Sequence, residues 1–183
     1  MSSQQVSTGP SPRGFVIRFG IILTATSGFI VLLMGGRGMA YVAQMVAHAR
    51  LHAPNLRLIA EAPIAVQVHL ATVSAALVLA SAQMLGPKGR TFHRATGWIL
   101  SVLLLLTAIA SLFIQNPRGG LFNPFQLFSI WTLIAVPWAV VSARRHDVRR
   151  HASIMTGLFL GALVVAGLLT FLPGRLMWRV FFG

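Results

Sequence analysis

Cysteine is absent and acids nearly so: the 183 residues contain only Glu61 and Asp147 against fifteen Lys and Arg, a formal charge of +13. Without thiols there can be no disulfide, Cys-ligated zinc, iron–sulfur cluster or thiol nucleophile. With two acids there is no paired-carboxylate hydrolytic site unless Glu61 and Asp147 meet, and they are expected at opposite ends of the protein. Charged residues are 9% of the chain, against about a quarter in a soluble domain, which excludes an ordinary soluble enzyme. A basic nucleic-acid binder keeps a polar surface around its cationic patch. Here the Arg residues punctuate long apolar runs in a chain that is 56% hydrophobic, so the expected partner is the bilayer and not nucleic acid. No G-x-S-x-G elbow, phosphate-binding loop or H-E-x-x-H is present.

What is present reads as an all-α polytopic membrane bundle. Residues 1–13 have the composition of a disordered tail. Residues 14–34 form an apolar run long enough to cross a hydrocarbon core of about 30 Å, and are expected to remain as a peripheral transmembrane helix and not as a cleaved signal. Residues 35–61 form an external loop, with an interfacial helix expected from Met39 to Ala53, where Gln44, His48 and Arg50 interrupt the apolar stripe. Residues 62–172 carry a four-helix core with spans near 62–85, 95–114, 125–143 and 153–172. The first of these holds Gln67, His69, Thr72, Ser74, Ser81 and Gln83, too polar to face lipid all round, and is expected at the centre of the bundle. Residues 173–183, with Trp178 and two Phe around Arg175 and Arg179, are expected in the interface. Nine Lys and Arg fall on one side and six on the other, seven of the nine in two short loops. That bias predicts a bacterial inner-membrane protein with a cytoplasmic N-terminus and an external C-terminus.

The six histidines have the widest chemical range of the remaining side chains. His69, buried in a span, reads either as a packing residue bonded to a neighbour or as a ligand to haem b or a partner for a quinone. It could pair with His48 or His52 if their helix dips inward; alternatively His93 and His151 could pair on the inner side. His48, His52 and His69 could instead hold zinc or copper. Arg144, Arg145, Arg149 and Arg150 read as a positive-inside anchor or as a site for anionic lipid headgroups, with Asp147 neutralised by its neighbours. The small residues Gly20, Thr24 and Gly28 repeat every fourth position, which permits close helix approach. Lying outside the four-helix core, they could face a membrane-protein partner.

His69, then Gly86-Pro87, then Arg90-x-x-His93-Arg94-x-x-Gly97, then His151, Met155 and Pro173 resemble the pattern of an uncharacterised bacterial family of predicted membrane proteins, domain of unknown function 2306. The resemblance runs from about Pro63 to Pro173. This chain departs from it in having Ala152 after His151, Ile154 before the Met, and Gln83 ahead of the Gly-Pro. The resemblance implies a four-helix core with His at helix ends, similar in outline to dihaem membrane cytochromes, and no established activity. Two function classes follow: a non-catalytic accessory subunit of a larger respiratory or photosynthetic electron-transfer complex, and a redox protein holding haem b or quinone with His69, His93 and His151. A transporter ranks third, since His69 is the one ionisable group well inside a span.

Overall fold

The computed structural model describes residues 39–86, 91–114 and 126–182, together with 14, 16, 17, 20, 21, 24, 25 and 28. The tail 1–13 and most of the first apolar run lie outside the described residues; the eight described positions of that run are helical. Beyond them come α1 (39–47), α2 (Arg57–Ala60), α3 (Ile64–Leu85), α4 (Thr91–Leu112), α5 (Gln126–Arg144), α6 (Val148–Leu158), a π-helical stretch (Phe159–Val165) that leads into α7 (Ala166–Leu169), and α8 (Leu176–Phe182). The described residues form no strand. Among the described residues four rods are long and apolar enough to cross a membrane: α3, α4, α5 and the continuous Val148–Leu169.

Each boundary has a local cause. Pro63 caps α3 with extended backbone, at ψ 145°, where its missing N–H is no loss. Gly86 ends α3: a Cβ there would stand 2.9 Å from the Ala82 carbonyl oxygen, closer than any other residue tolerates. Between α5 and α6 the chain turns in three residues, Arg145 to Asp147. Asp147 N–H donates to the Ser142 carbonyl (2.9 Å) and His146 N–H to that of Ala143 (3.1 Å), the paired bonds of a Schellman closure, with His146 in the left-handed position at φ 60°. Asp147 then caps α6, accepting from Arg150 N–H at 3.0 Å. Replacing His146 with Gly removes the left-handed strain and should raise stability by about 0.5–1 kcal/mol. Asp147→Ala should lower it by about 1 kcal/mol. Thermal unfolding of the two variants in detergent checks both signs.

The rods close into a ring: α3 packs on α4, α4 on α5, α5 on α6, and the π-helical stretch returns to α3 and α5. Ala76, Ala80, Leu100, Leu104, Ala135, Val136, Leu158 and Leu163 form the shared core. Alanines at 76, 135 and 139 are wholly buried, which lets the backbones come close. α3 is a ring member like the others and not central to them, and it is the least buried of the four, with only Ala76 and Ala80 fully covered. Its polar side chains do not need a protein environment all round, because Thr72 and Ser81 bond back to carbonyls one turn earlier. The fourth rod is buried instead at Thr156, Leu158, Leu160, Leu163 and Val165. Such close spacing covers both of its sides and not a single stripe.

At the far end the structure departs from the expected helix bounds. The helix expected to reach Ala53 stops at residue 47. Beyond it, His52 N–H donates to the Phe181 carbonyl and Asn55 N–H to that of Val180, each at 3.0 Å. These are carbonyls that the end of α8 leaves open, so tertiary pairing displaces helix continuation. The C-terminal segment is accordingly a packed element: α8 lies on α2 with Trp178 and Val180 buried, and the Phe171 and Phe181 rings are 5.7 Å apart.

Candidate functional site

The antiparallel register of α3 and α4 fixes two polar levels. At one, near α2 and α8, His69 Nδ1 lies 3.0 Å from the Thr107 carbonyl. Thr107 Oγ1 donates to Thr72 Oγ1 (2.8 Å), whose own hydrogen goes to the Val68 carbonyl (2.8 Å). His69 thus clamps α3 to α4. Replacing it with Leu should cost about 0.6–1.7 kcal/mol, the range for hydrogen bonds between membrane helices. Thermal unfolding of His69→Leu in detergent measures this.

The second level lies fourteen residues back along α4, about 21 Å away at 1.5 Å per residue. Here His93 occupies the first turn of α4 and His151 the first turn of α6. These helices sit on a diagonal of the ring, so the two imidazoles meet across it from non-neighbouring rods. Their ring centroids are 6.5 Å apart and their planes stand at 83°. Both residues are half-buried.

Neighbouring groups fix both residues. His151 Nδ1 is 2.9 Å from the Ala139 carbonyl of α5. A carbonyl can only accept, so Nδ1 donates and Nε2 of the neutral ring presents a lone pair. The three-residue turn from Arg145 to Asp147 sets this contact, because it places the first turn of α6 beside the last turns of α5. On α4, Gln83 of α3 donates to the His93 carbonyl (3.1 Å) and to Thr96 Oγ1 (2.8 Å), and Thr96 Oγ1 donates to the Phe92 carbonyl (2.7 Å). That network holds the start of α4 against the end of α3.

The same end carries Arg94, Arg144, Arg145, Arg149 and Arg150, all exposed. Asp147 is taken up by the α6 cap and by a 3.8 Å approach from Arg150 Nε. Glu61, the other acid, pairs with Arg57 at 2.6 Å beside α2, so the two carboxylates stand at opposite ends and form no joint site.

Of the candidate residues, the structure joins His93 with His151 and places His69 at the other level. His48 and His52 do not share a helix face, since α1 ends before His48. Both are exposed, with Nδ1 turned to the nearby carbonyls of Gln44 (2.8 Å) and Ala53 (2.7 Å). Among the described residues no group of three His, Asp or Glu is placed to hold a metal, so the trio of His48, His52 and His69 is not assembled. Gly20, Thr24 and Gly28 are helical and exposed. Sequence reasoning did not single out Trp98, or the Ala139 carbonyl and Gln83 as supports of the histidines. Trp98 and Trp138 could have been read from their places near helix ends, where aromatic residues gather in membrane proteins. A carbonyl carries no such signal.

A family model described as "Predicted membrane protein (DUF2306)" matches residues 66–181, from the first turn of α3 to the end of α8. No curated protein and no solved structure matches the chain.

Proposed function

The chain belongs to the DUF2306 family of predicted membrane proteins, and from that premise we propose that it is a multi-pass redox protein holding haem b between His93 and His151. The observation that supports this reading is the meeting of these two imidazoles across the diagonal of the ring. His93 and His151, whose ring centroids stand 6.5 Å apart, would be the residues to hold the haem iron, imidazole being an established ligand to it. The donor set fits as well. The Ala139 carbonyl fixes the His151 tautomer and leaves Nε2 to ligate, the usual support for a metal-bound histidine. Haem supplies one-electron transfer when bound.

The protein's own part is to orient and to neutralise. Gln83 and Thr96 hold the start of α4, Ala139 holds the ring of His151, and the exposed arginines offer charge to carboxylates at the membrane surface. A quinone needs only one hydrogen-bonding imidazole, so the pairing favours haem. The absorption spectrum of protein purified from haem-replete cells tests the reading: a Soret band that shifts on reduction is expected, and its absence would refute the proposal.

A second reading, an accessory subunit of a larger electron-transfer complex, rests on the first apolar run. Gly20, Thr24 and Gly28 are exposed, and a Cβ on either Gly would meet nothing within 4 Å, leaving room for a partner helix. Gly28→Leu should then release a co-purifying protein at unchanged stability. Both readings place the chain in a bacterial inner membrane with its basic end in the cytoplasm. A reporter fused after Gly183 should be active only outside.

A further inference from the structure

We propose that the basic end carries a specific site for an anionic phospholipid headgroup, built by two Arg–Trp pairs that flank α5. The Arg144 guanidinium, at the end of α5, lies over the Trp98 ring of α4 at 5.5 Å. The Arg150 guanidinium, on α6, lies over the Trp138 ring of α5 at 5.6 Å. Each pair therefore bridges one of the two outer grooves beside α5. Trp98 is 53% and Trp138 45% exposed, and no protein element among the described residues covers these faces.

The pairs stand at one depth. Trp98 is seven residues into α4 and Trp138 six residues before the end of α5, both about 10 Å from the helix ends at 1.5 Å per residue. Trp is enriched at that level of membrane-crossing helices, where hydrocarbon gives way to headgroups. A ring fixed there holds the guanidinium over its face; Arg150 Nε lies 3.8 Å from Asp147 Oδ2, so on Arg150 the two terminal nitrogens are the donors left for bidentate contact with a phosphate. An unfixed arginine would lose side-chain freedom on binding; these two have given up much of it beforehand. Charge selects the ligand. Five exposed arginines face a single acid, Asp147, and its carboxylate is engaged by the α6 N-terminus. A lipid with net negative charge fits this surface, whereas a zwitterionic choline headgroup would bring its own cation against the arginines. The occupant is a membrane lipid and not free phosphate, because both rings stand exposed on helices long and apolar enough to cross a membrane.

The site can be tested by native mass spectrometry of the whole protein in detergent with equimolar phosphatidylglycerol and phosphatidylcholine. The intact protein should retain phosphatidylglycerol selectively, and Arg144→Gln with Arg150→Gln should reduce retention about 25-fold, roughly fivefold for each charge. Arg145→Gln with Arg149→Gln removes the same charge outside the pairs and should do less. Trp98→Leu with Trp138→Leu keeps every charge and should still weaken retention, while Arg→Lys at 144 and 150 separates loss of the fork from loss of folding. Equal losses in the two glutamine pairs, undiminished retention without the tryptophans, equal retention of phosphatidylcholine, or displacement by millimolar inorganic phosphate would each overturn the proposal.

Discussion

Alanine at His151 should abolish the Soret band of the purified protein, and alanine at His93 should do the same, whereas alanine at His69 should leave it in place. The contrast follows from level, not from residue type. His69 spends Nδ1 on the Thr107 carbonyl, about 21 Å along the bundle from the other two, and no second histidine shares its level among the described residues of the four rods. His93 and His151 meet at 6.5 Å, so removing either would take away one of the two imidazoles that would hold the haem. Gln83→Leu is the graded case. It keeps both imidazoles and removes two bonds that hold the start of α4, so cofactor affinity should fall about 10- to 100-fold, as for other groups that position a metal ligand. Titration of haem into the purified variants measures all four.

A leucine at Ala76 should have the largest effect on stability. Ala76 is wholly buried at the centre of the shared core, with Ala135 equally covered. Three extra carbons there hold α3 off its neighbours. Overpacking costs about 1–3 kcal/mol in soluble cores, and in lipid no hydrophobic gain offsets lost contact between helices. The expected loss is therefore at the upper end, about 3 kcal/mol. Ala71, on the exposed face of the same helix, should accept leucine with almost no change. Thermal unfolding of the two variants in detergent separates the close-packed seam from the lipid face.

The four rods were legible because each is an apolar run of about 20 residues bounded by Pro, Gly or charge. Ends set by other parts of the chain were not. The last rod begins at Val148 and not near 153 because Asp147 caps it, a role hidden by reading that acid only as a counter-charge to arginine. The helix before His48 ends early because amides at His52 and Asn55 serve carbonyls of α8, more than 120 residues away in sequence. The polarity of α3 is only partly a sign of burial: His69, Thr72 and Gln83 bond to α4, whereas Ser81 is satisfied on its own helix.

For the site, the histidines were visible as candidates but their partners were not. Which of them meet depends on the order of helices around the ring, and periodicity along one helix says nothing of that order. The π-helical stretch from Phe159 to Val165 had no sequence signal at all. It buries both sides of the fourth rod and so sets how α6 enters the bundle.

The most direct test of paired ligation is the low-temperature electron paramagnetic resonance spectrum of the oxidised protein purified from haem-replete cells. Two imidazoles with planes at 83°, if they held one ferric haem between them, predict a strongly anisotropic low-spin signal, lost in His93→Ala and in His151→Ala and untouched by His69→Ala. A high-spin signal from the unaltered protein, or no haem signal at all, would contradict the account.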